Sequence, residues 1–325
     1  MADFLRRHVG ILSLSPPFVR RTLREIAGRT AIVYGHQVGA PAPHLDAVGG
    51  ALPAEQLDAR LTDLGRHFAF APLDEVLAGT GERRLAVTFD DGFDPVAGGA
   101  LDVLNAHRVR ATMFVLTDMR GNRGLMWRNK LSAVLALRPA DTSVRAYNAL
   151  ADRAGLPRIG DAGELMGAAM GWDMERKDEL ADELWAACDL PPLGEYLDEH
   201  RPYMTAETAA RWQADGHAIG LHTRTHPDCS RLDADGVRRE ILEPARDLCA
   251  ELGCASVAFS YPFGRRCAPA HEHLLAESDH LDCALGIAGL SPHGTDRLRL
   301  ERASIEGDMR FSVYGKALLG IPRRT

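Results

Sequence analysis

Long apolar runs are missing from this chain. No stretch approaches the ~18 consecutive apolar residues that a membrane span needs. HVGILSLSPPF, residues 8–18, is too short and too interrupted by Ser and Pro to read as the apolar core of a secretion signal. No basic stripe exists either: 38 Lys and Arg stand against 45 Asp and Glu, a net charge of −7, which argues against nucleic acid as a partner. The pairs Arg6-Arg7, Arg20-Arg21 and Arg323-Arg324 read as solvated terminal segments. Cysteines are few, and Cys188, Cys229, Cys249, Cys254, Cys267 and Cys283 form no CxxC pair. That is no disulfide framework for 325 residues, so reduced thiols, a soluble protein and a cytoplasmic location are expected. Repeats and low-complexity tracts are absent. What is present is ordinary for a globular protein with a large core: 46% hydrophobic and 26% charged residues, at a length an α/β barrel can reach as one unit.

Short β-branched segments alternate with helical patterns, which predicts a parallel sheet or barrel with crossover helices. Strands are expected at Thr30–Tyr34, Leu85–Phe89, Ala111–Leu116, Ala218–Leu221, Val257–Ser260, Asp282–Ile287 and Leu298–Ile305. Asp94 reads as the N-cap of a helix with Pro95 at its first position. A second helix is expected over Thr205–Asp215, stopped by Gly216, and a third over Asp235–Leu252, kinked at Pro244. Residues 120–202 break the rhythm, with helical patterns at Met126–Arg138, Arg145–Ala154 and Glu175–Cys188 and almost no strand signal. The expected organisation is an N-terminal helical extension (1–29), a first barrel part (30–119), a helical insertion (120–202) and a second barrel part (203–325). An insertion of this kind covers a site as a lid or mediates contacts such as a homodimer interface, and the sequence does not choose.

Polar residues collect where each expected strand ends, the place where parallel α/β folds keep their chemistry. TAIVY runs into Gly35-His36, LAVTF into Asp90-Asp91-Gly92, AIGL into His222-Thr223-Arg224-Thr225-His226, and VAFS into Tyr261-Pro262-Phe263-Gly264. Two carboxylates and three histidines would thus meet, the composition of a metal-dependent hydrolase. His222 and His226 with one carboxylate suit a divalent ion: zinc first, with Co, Ni, Mn or Fe as alternatives. Such a cation would also relieve the repulsion between Asp90 and Asp91, leaving one acid free to take a proton. Read alone, His-x-x-x-His is also a common surface pair and Asp-Asp-Gly a common turn. Their joint placement at strand ends favours the functional reading.

TFDDG, HTRTH and YPFG, with GHAIGLHTRTHPD and ATMFV around them, resemble the polysaccharide deacetylase family, the NodB-homology carbohydrate esterases. The resemblance covers about residues 30–118 and 203–305, and implies a distorted or incomplete (β/α) barrel carrying a metal-dependent N-deacetylase. It implies Asp90 as general base, Asp91, His222 and His226 as metal ligands, and Tyr261, Pro262, Phe263 and Gly264 as the lining of the acetyl pocket. The Phe263 N–H would help to hold the oxyanion. Two departures stand out. The third motif commonly opens with an Arg that orients the base, and Ser260 stands there, as in members reading Ala-Tyr-Pro-Tyr-Gly. No Leu-x-x-His motif supplies the general acid, and His293 in a Gly/Pro-rich loop is a poor substitute.

His36 takes that role instead, because YGHQV resembles the Tyr-His-x-Val of a branch with permuted motif order; a structural histidine under the site is the bland alternative. Arg302 is a candidate to orient Asp90, Asp118 also sits near a strand end, and His217 reads as structural. Trp127, Trp172, Trp185 and Trp212 fit a core as well as a sugar face, and Trp127 is the preferred substrate contact from the insertion. The expected substrate is an N-acetylated amino sugar, or a sugar-containing precursor or metabolite, including small-molecule glycosides. A deformylase or other C–N hydrolase on the same scaffold is the alternative, and a silent sugar-binding protein a further one.

Overall fold

The computed structural model describes Arg24, Ile26 and residues 28–79 and 83–306. The expected N-terminal extension lies mostly outside these residues, as do the three Arg pairs and the end of the second barrel part. Ten strands form one sheet: β1 Arg29–Gly35, β2 Ala69–Phe70, β3 Arg84–Phe89, β4 Thr112–Val115, β5 Ala218–Leu221, β6 Val257–Ser260, β7 Leu281–Gly286, β8 Ser291–Pro292, β9 Leu300–Glu301 and β10 Ala303–Ser304. The order around the wall is β10-β1-β3-β4-β5-β6-β7-β9, all pairs parallel. Only β8 runs antiparallel, against the start of β1.

The last expected strand is broken, and the break closes the barrel. Leu300 and Glu301 pair with Leu285 and Gly286 of β7, while Ala303 and Ser304 pair with Val33 and Tyr34 of β1. One segment therefore touches both edges of the sheet and changes partner at Arg302. The result is the nearly closed α/β barrel that the strand pattern predicts. Side chains alternate across its wall with period two. Ile32, Ala86, Phe114, Cys283, Leu285 and Leu300 share one cluster, whereas Ala31, Val33, Leu85, Val87 and Phe89 pack with the surrounding helices.

Around the barrel run α1 Ala54–Gly65, α2 Leu73–Leu77 and α3 Ala100–Ala106. Asp94 caps a turn rather than α3: its Oδ1 accepts from the N–H groups of Val96 and Ala97, 2.8 and 3.2 Å away. The helix begins only at Ala100, and Gly98 ahead of it lies against the loop that follows β1. A Cβ there would stand 1.7 Å from the Val38 carbonyl oxygen.

The insertion contributes α4 Trp127–Leu137, α5 Ala140–Ala154, α6 Leu165–Ala169, α7 Lys177–Ala187 and α8 Leu193–His200. Leu180, Leu184, Trp185 and Cys188 do share a buried face, and they join a cluster with Phe93, Leu116 and Tyr203 from the barrel mouth. The insertion is thus packed on the barrel through a common core.

Beyond it come α9 Ala206–Ala214, α10 Ala234–Val237, α11 Glu243–Leu252 and α12 Pro269–Ala276. Thr205 forms a capping box with Thr208 at the start of α9. The irregularity expected at Pro244 is a π-helical stretch over Arg238–Leu242, just before it. Proline has no N–H for the carbonyl four residues back, so the Glu240 carbonyl instead accepts from Arg224 N–H at 2.9 Å. No helix among the described residues is long and apolar enough to cross a membrane.

Candidate active site

Because β1, β3, β5 and β6 all run parallel in the wall, His36, Asp90, His222 and Tyr261 emerge at the same mouth. They line a 190 Å³ cavity together with Tyr34, Asp91, His226, Phe263, Gly264, Arg128 and Glu306. This is below the ~300–1,000 Å³ of pockets for drug-sized ligands.

The two adjacent acids have different surroundings. Asp90 is gripped by Arg302, whose two terminal nitrogens donate to its two carboxylate oxygens at 2.8 Å each. Arg302 is fully buried, at 0% exposure, and also donates to the hydroxyls of Thr88 and Ser260. Its guanidinium lies over the Tyr34 ring, 4.8 Å from the centroid. Burial would raise the Asp90 pKa, but Arg302, aided by His222, overrides it and holds the carboxyl below its usual range. The Ser260 hydroxyl accepts from this guanidinium, which arrives from the junction of β9 and β10.

Asp91 faces the histidines. Its Oδ1 is buried without a hydrogen-bond partner and lies 3.4 Å from Nε2 of both His222 and His226. Burial would raise its pKa, but the two histidines with His36 outweigh it and hold the carboxyl well below its usual range. His222 donates from Nδ1 to the Ser260 carbonyl at 2.8 Å, which leaves the lone pair on Nε2. Burial keeps His226 neutral, lowering its pKa well below the ordinary value despite Asp91. Asp91, His222 and His226 are the one group among the described residues able to hold a metal ion, their donor atoms within 4.8 Å of one another. An orphaned carboxylate oxygen and two imidazole lone pairs fit a zinc-like divalent cation.

The backbone is strained here. Four of the eight described non-glycine residues with positive φ are Asp91, Thr223, His226 and Phe263. Each left-handed residue costs roughly 1–3 kcal/mol, so surrounding contacts must hold them. The Thr223 hydroxyl accepts from His226 N–H at 2.9 Å. Glu240 accepts from the N–H and hydroxyl of Thr225, and buried Lys177 of α7 donates to the same hydroxyl at 2.7 Å. At Gly264, φ is +65° and a Cβ would meet Ile287 at 2.3 Å, so the YPFG turn requires glycine there.

His36 emerges beside Asp90, from the neighbouring strand β1, with a partner that the sequence reading did not include. Glu306 accepts from both the His36 backbone N–H, at 2.7 Å, and Nδ1, at 2.9 Å. Burial disfavours the imidazolium, but Glu306, then Asp91 and Asp90, outweigh it and push the His36 pKa up to about 10. Glu306 follows Ile305 beyond β10, beside β1, so the strand-end rule used for the other site residues would have found it. His293 is remote: its N–H bonds Gly28 at the far end of β1.

Other expected contacts need correcting. Trp127 is not a substrate contact: it is 0% exposed, and its Nε1–H donates to the His226 carbonyl at 2.9 Å. Pro262 is buried in its turn and does not line the cavity. Tyr261 touches the cavity, but its ring packs on Phe259 and is 1% exposed. Trp172 and Trp212 are likewise core. His217 is structural: it stacks on Trp212 and accepts the Ala111 N–H at Nδ1. Asp118 lies outside the cavity, in a surface cleft with Arg120 and Arg123.

The chain's fold is similar to the Streptococcus pyogenes deacetylase PplD in complex with acetate, with a TM-score of 0.54 and 15% identity over 85% of this chain and 92% of that one. A polysaccharide deacetylase from Bacillus cereus aligns with a TM-score of 0.51 and 12% identity, over 85% of this chain and 64% of that one. A sequence model described as polysaccharide deacetylase matches residues 78–150 and 191–276, which contain Asp90, Asp91, His222, His226 and the YPFG turn but not His36, Arg302 or Glu306. By that match over both barrel parts, the chain belongs to the polysaccharide deacetylase family and is a hydrolase of amide C–N bonds.

Proposed function

We propose that this protein is a metal-dependent N-deacetylase that removes the acetyl group from an N-acetyl amino sugar or a sugar-containing precursor. The observation that carries the reading is the division between the paired acids. Asp90 is fully engaged by Arg302, whereas Asp91 keeps a buried, unsatisfied oxygen facing two imidazole nitrogens. Asp91, His222 and His226 would hold a divalent cation, zinc or else Co, Ni, Mn or Fe, which supplies Lewis-acid polarisation and acidifies water.

Asp90, kept ionised by Arg302, takes the proton of the water that attacks the acetamido carbonyl. The N–H groups of Gly264 and Arg265 are occupied by the Tyr261 and Pro262 carbonyls, so the Phe263 N–H is the donor this turn offers to the oxyanion. His36, protonated and steered through Nδ1 by Glu306, delivers a proton to the departing amine. A cytoplasmic setting, supported by six unpaired cysteines of which five are buried, would make the substrate a precursor rather than finished polymer.

Asp90→Asn should retain bound metal, measured by elemental analysis, while acetate release from N-acetyl sugars falls at least a hundredfold. Asp91→Ala should lose both. Near-native turnover by Asp90→Asn would refute these roles, and faster cleavage of N-formyl than N-acetyl sugars would favour a deformylase.

A further inference from the structure

The cations around this mouth are matched with carboxylates. Arg302 has Asp90, Lys177 has Asp178, Arg265 has Asp228 and Arg266 has Glu301. Arg128, in the first turn of α4, is the exception. It lines the cavity, yet it makes no ion pair or hydrogen bond among the described residues, and its Nε is buried without a partner. Its guanidinium is positioned by the face of Phe263, 5.0 Å from the ring centroid. Asp91 acts on it only at a distance and is committed to His222 and His226.

An arginine stays charged even when half-buried, and a desolvated charge without a partner is unfavourable. The acids of the cavity cannot relieve it: Asp90 is taken by Arg302 and Glu306 by His36. The complement must come with the ligand. A guanidinium fork accepts carboxylate or phosphate in two-point contact, which a neutral hydroxyl cannot match.

We propose that Arg128 selects a substrate carrying an anionic group, a carboxylate or a phosphate, on or next to the N-acetylated sugar. This rests on the reading that the cavity binds an N-acetyl amino sugar. The Arg128 side comes from the insertion, so this part of the chain sets substrate charge while the barrel supplies the chemistry.

The test is calorimetric binding to the full-length, metal-loaded Asp90→Asn protein, with and without Arg128→Met or Arg128→Lys. The probes are N-acetylglucosamine, N-acetylglucosamine 1-phosphate and N-acetylmuramic acid. At least one anionic probe should bind tenfold or more tighter than the neutral sugar, as charge-assisted hydrogen bonds imply. Which of the two does so distinguishes phosphate from carboxylate. Arg128→Met should bring the ratio close to one, and Arg128→Lys should restore part of it. Equal binding of all three probes, or an anion preference that survives Arg128→Met, would overturn the proposal. Separately, if the Asp90 protein bound anionic sugars through Arg128 but released acetate from none, the deacetylase reading would fail while the anion site stood.

Discussion

Asp90 and His36 emerge side by side from the paired strands β3 and β1, each with a charged partner that controls its proton. Arg302 presses the Asp90 pKa down, and Glu306 presses the His36 pKa up. A base that stays ionised and an acid that stays protonated over the same pH range are what amide hydrolysis requires. Glu306→Gln keeps an acceptor for Nδ1 but removes the charge. The histidine should then lose its proton at lower pH, moving the alkaline limb of kcat/KM to lower pH while the acidic limb stays. A pH–rate profile in which the alkaline limb does not move would exclude His36 as the acid. Asp90, Asp91, His222 and His226 were legible in the sequence because each lies in a short motif at a strand end. Arg302 was also a candidate from its place near the end of the last expected strand, and it does hold Asp90; the pairing of Glu306 with His36, 270 residues apart, has no local pattern to reveal it.

The second-motif loop and the insertion behave as one structural unit. Trp127 donates to the His226 carbonyl, Lys177 to Thr225, and Arg231 to the carbonyls of Met170 and Trp172. Lys177 is 2% exposed and also neutralises Asp178 close to Glu240. Lys177→Met should therefore leave the half-buried Asp178 and the buried Glu240 without their cation and destabilise the protein by about 1–3 kcal/mol. Denaturant melts would read this loss, and metal retention should weaken with it because His226 borders Thr225. Unchanged melting and metal content would show that the insertion only rests against the loop. The helices of this insertion were readable from their apolar periodicity. Their docking was not, since it rests on single polar contacts that periodicity does not encode.

Across the whole molecule, two histidines among the described residues are buried away from the reaction. His44 and His217 are held neutral chiefly by burial, each with its pKa lowered to about 4. In the unfolded chain both would titrate near ~6.5. Their contribution to stability is therefore complete above about 6.5 and is lost as pH falls from there toward about 4. Thermal melting should drop across that window, and less so in His217→Gln. A melting temperature flat from pH 7 to 4.5 would contradict this. The barrel mouth and the insertion share one core, so this loss should appear as a single transition.

Strand alternation and strand-end motifs were enough to place a parallel barrel and to bring TFDDG, HTRTH, YPFG and YGHQV toward one mouth, because a parallel strand's direction dictates where its next residue emerges. The chain's closure at Arg302, the pairing of Glu306 with His36 and the unmatched charge of Arg128 became visible only on folding. Each depends on side chains distant in the chain meeting at the closure of the barrel or from the insertion, and on burial that removes water as the alternative partner. Trp127 marks the same boundary: its sequence position suggested a sugar contact, and packing made it a buried support for His226.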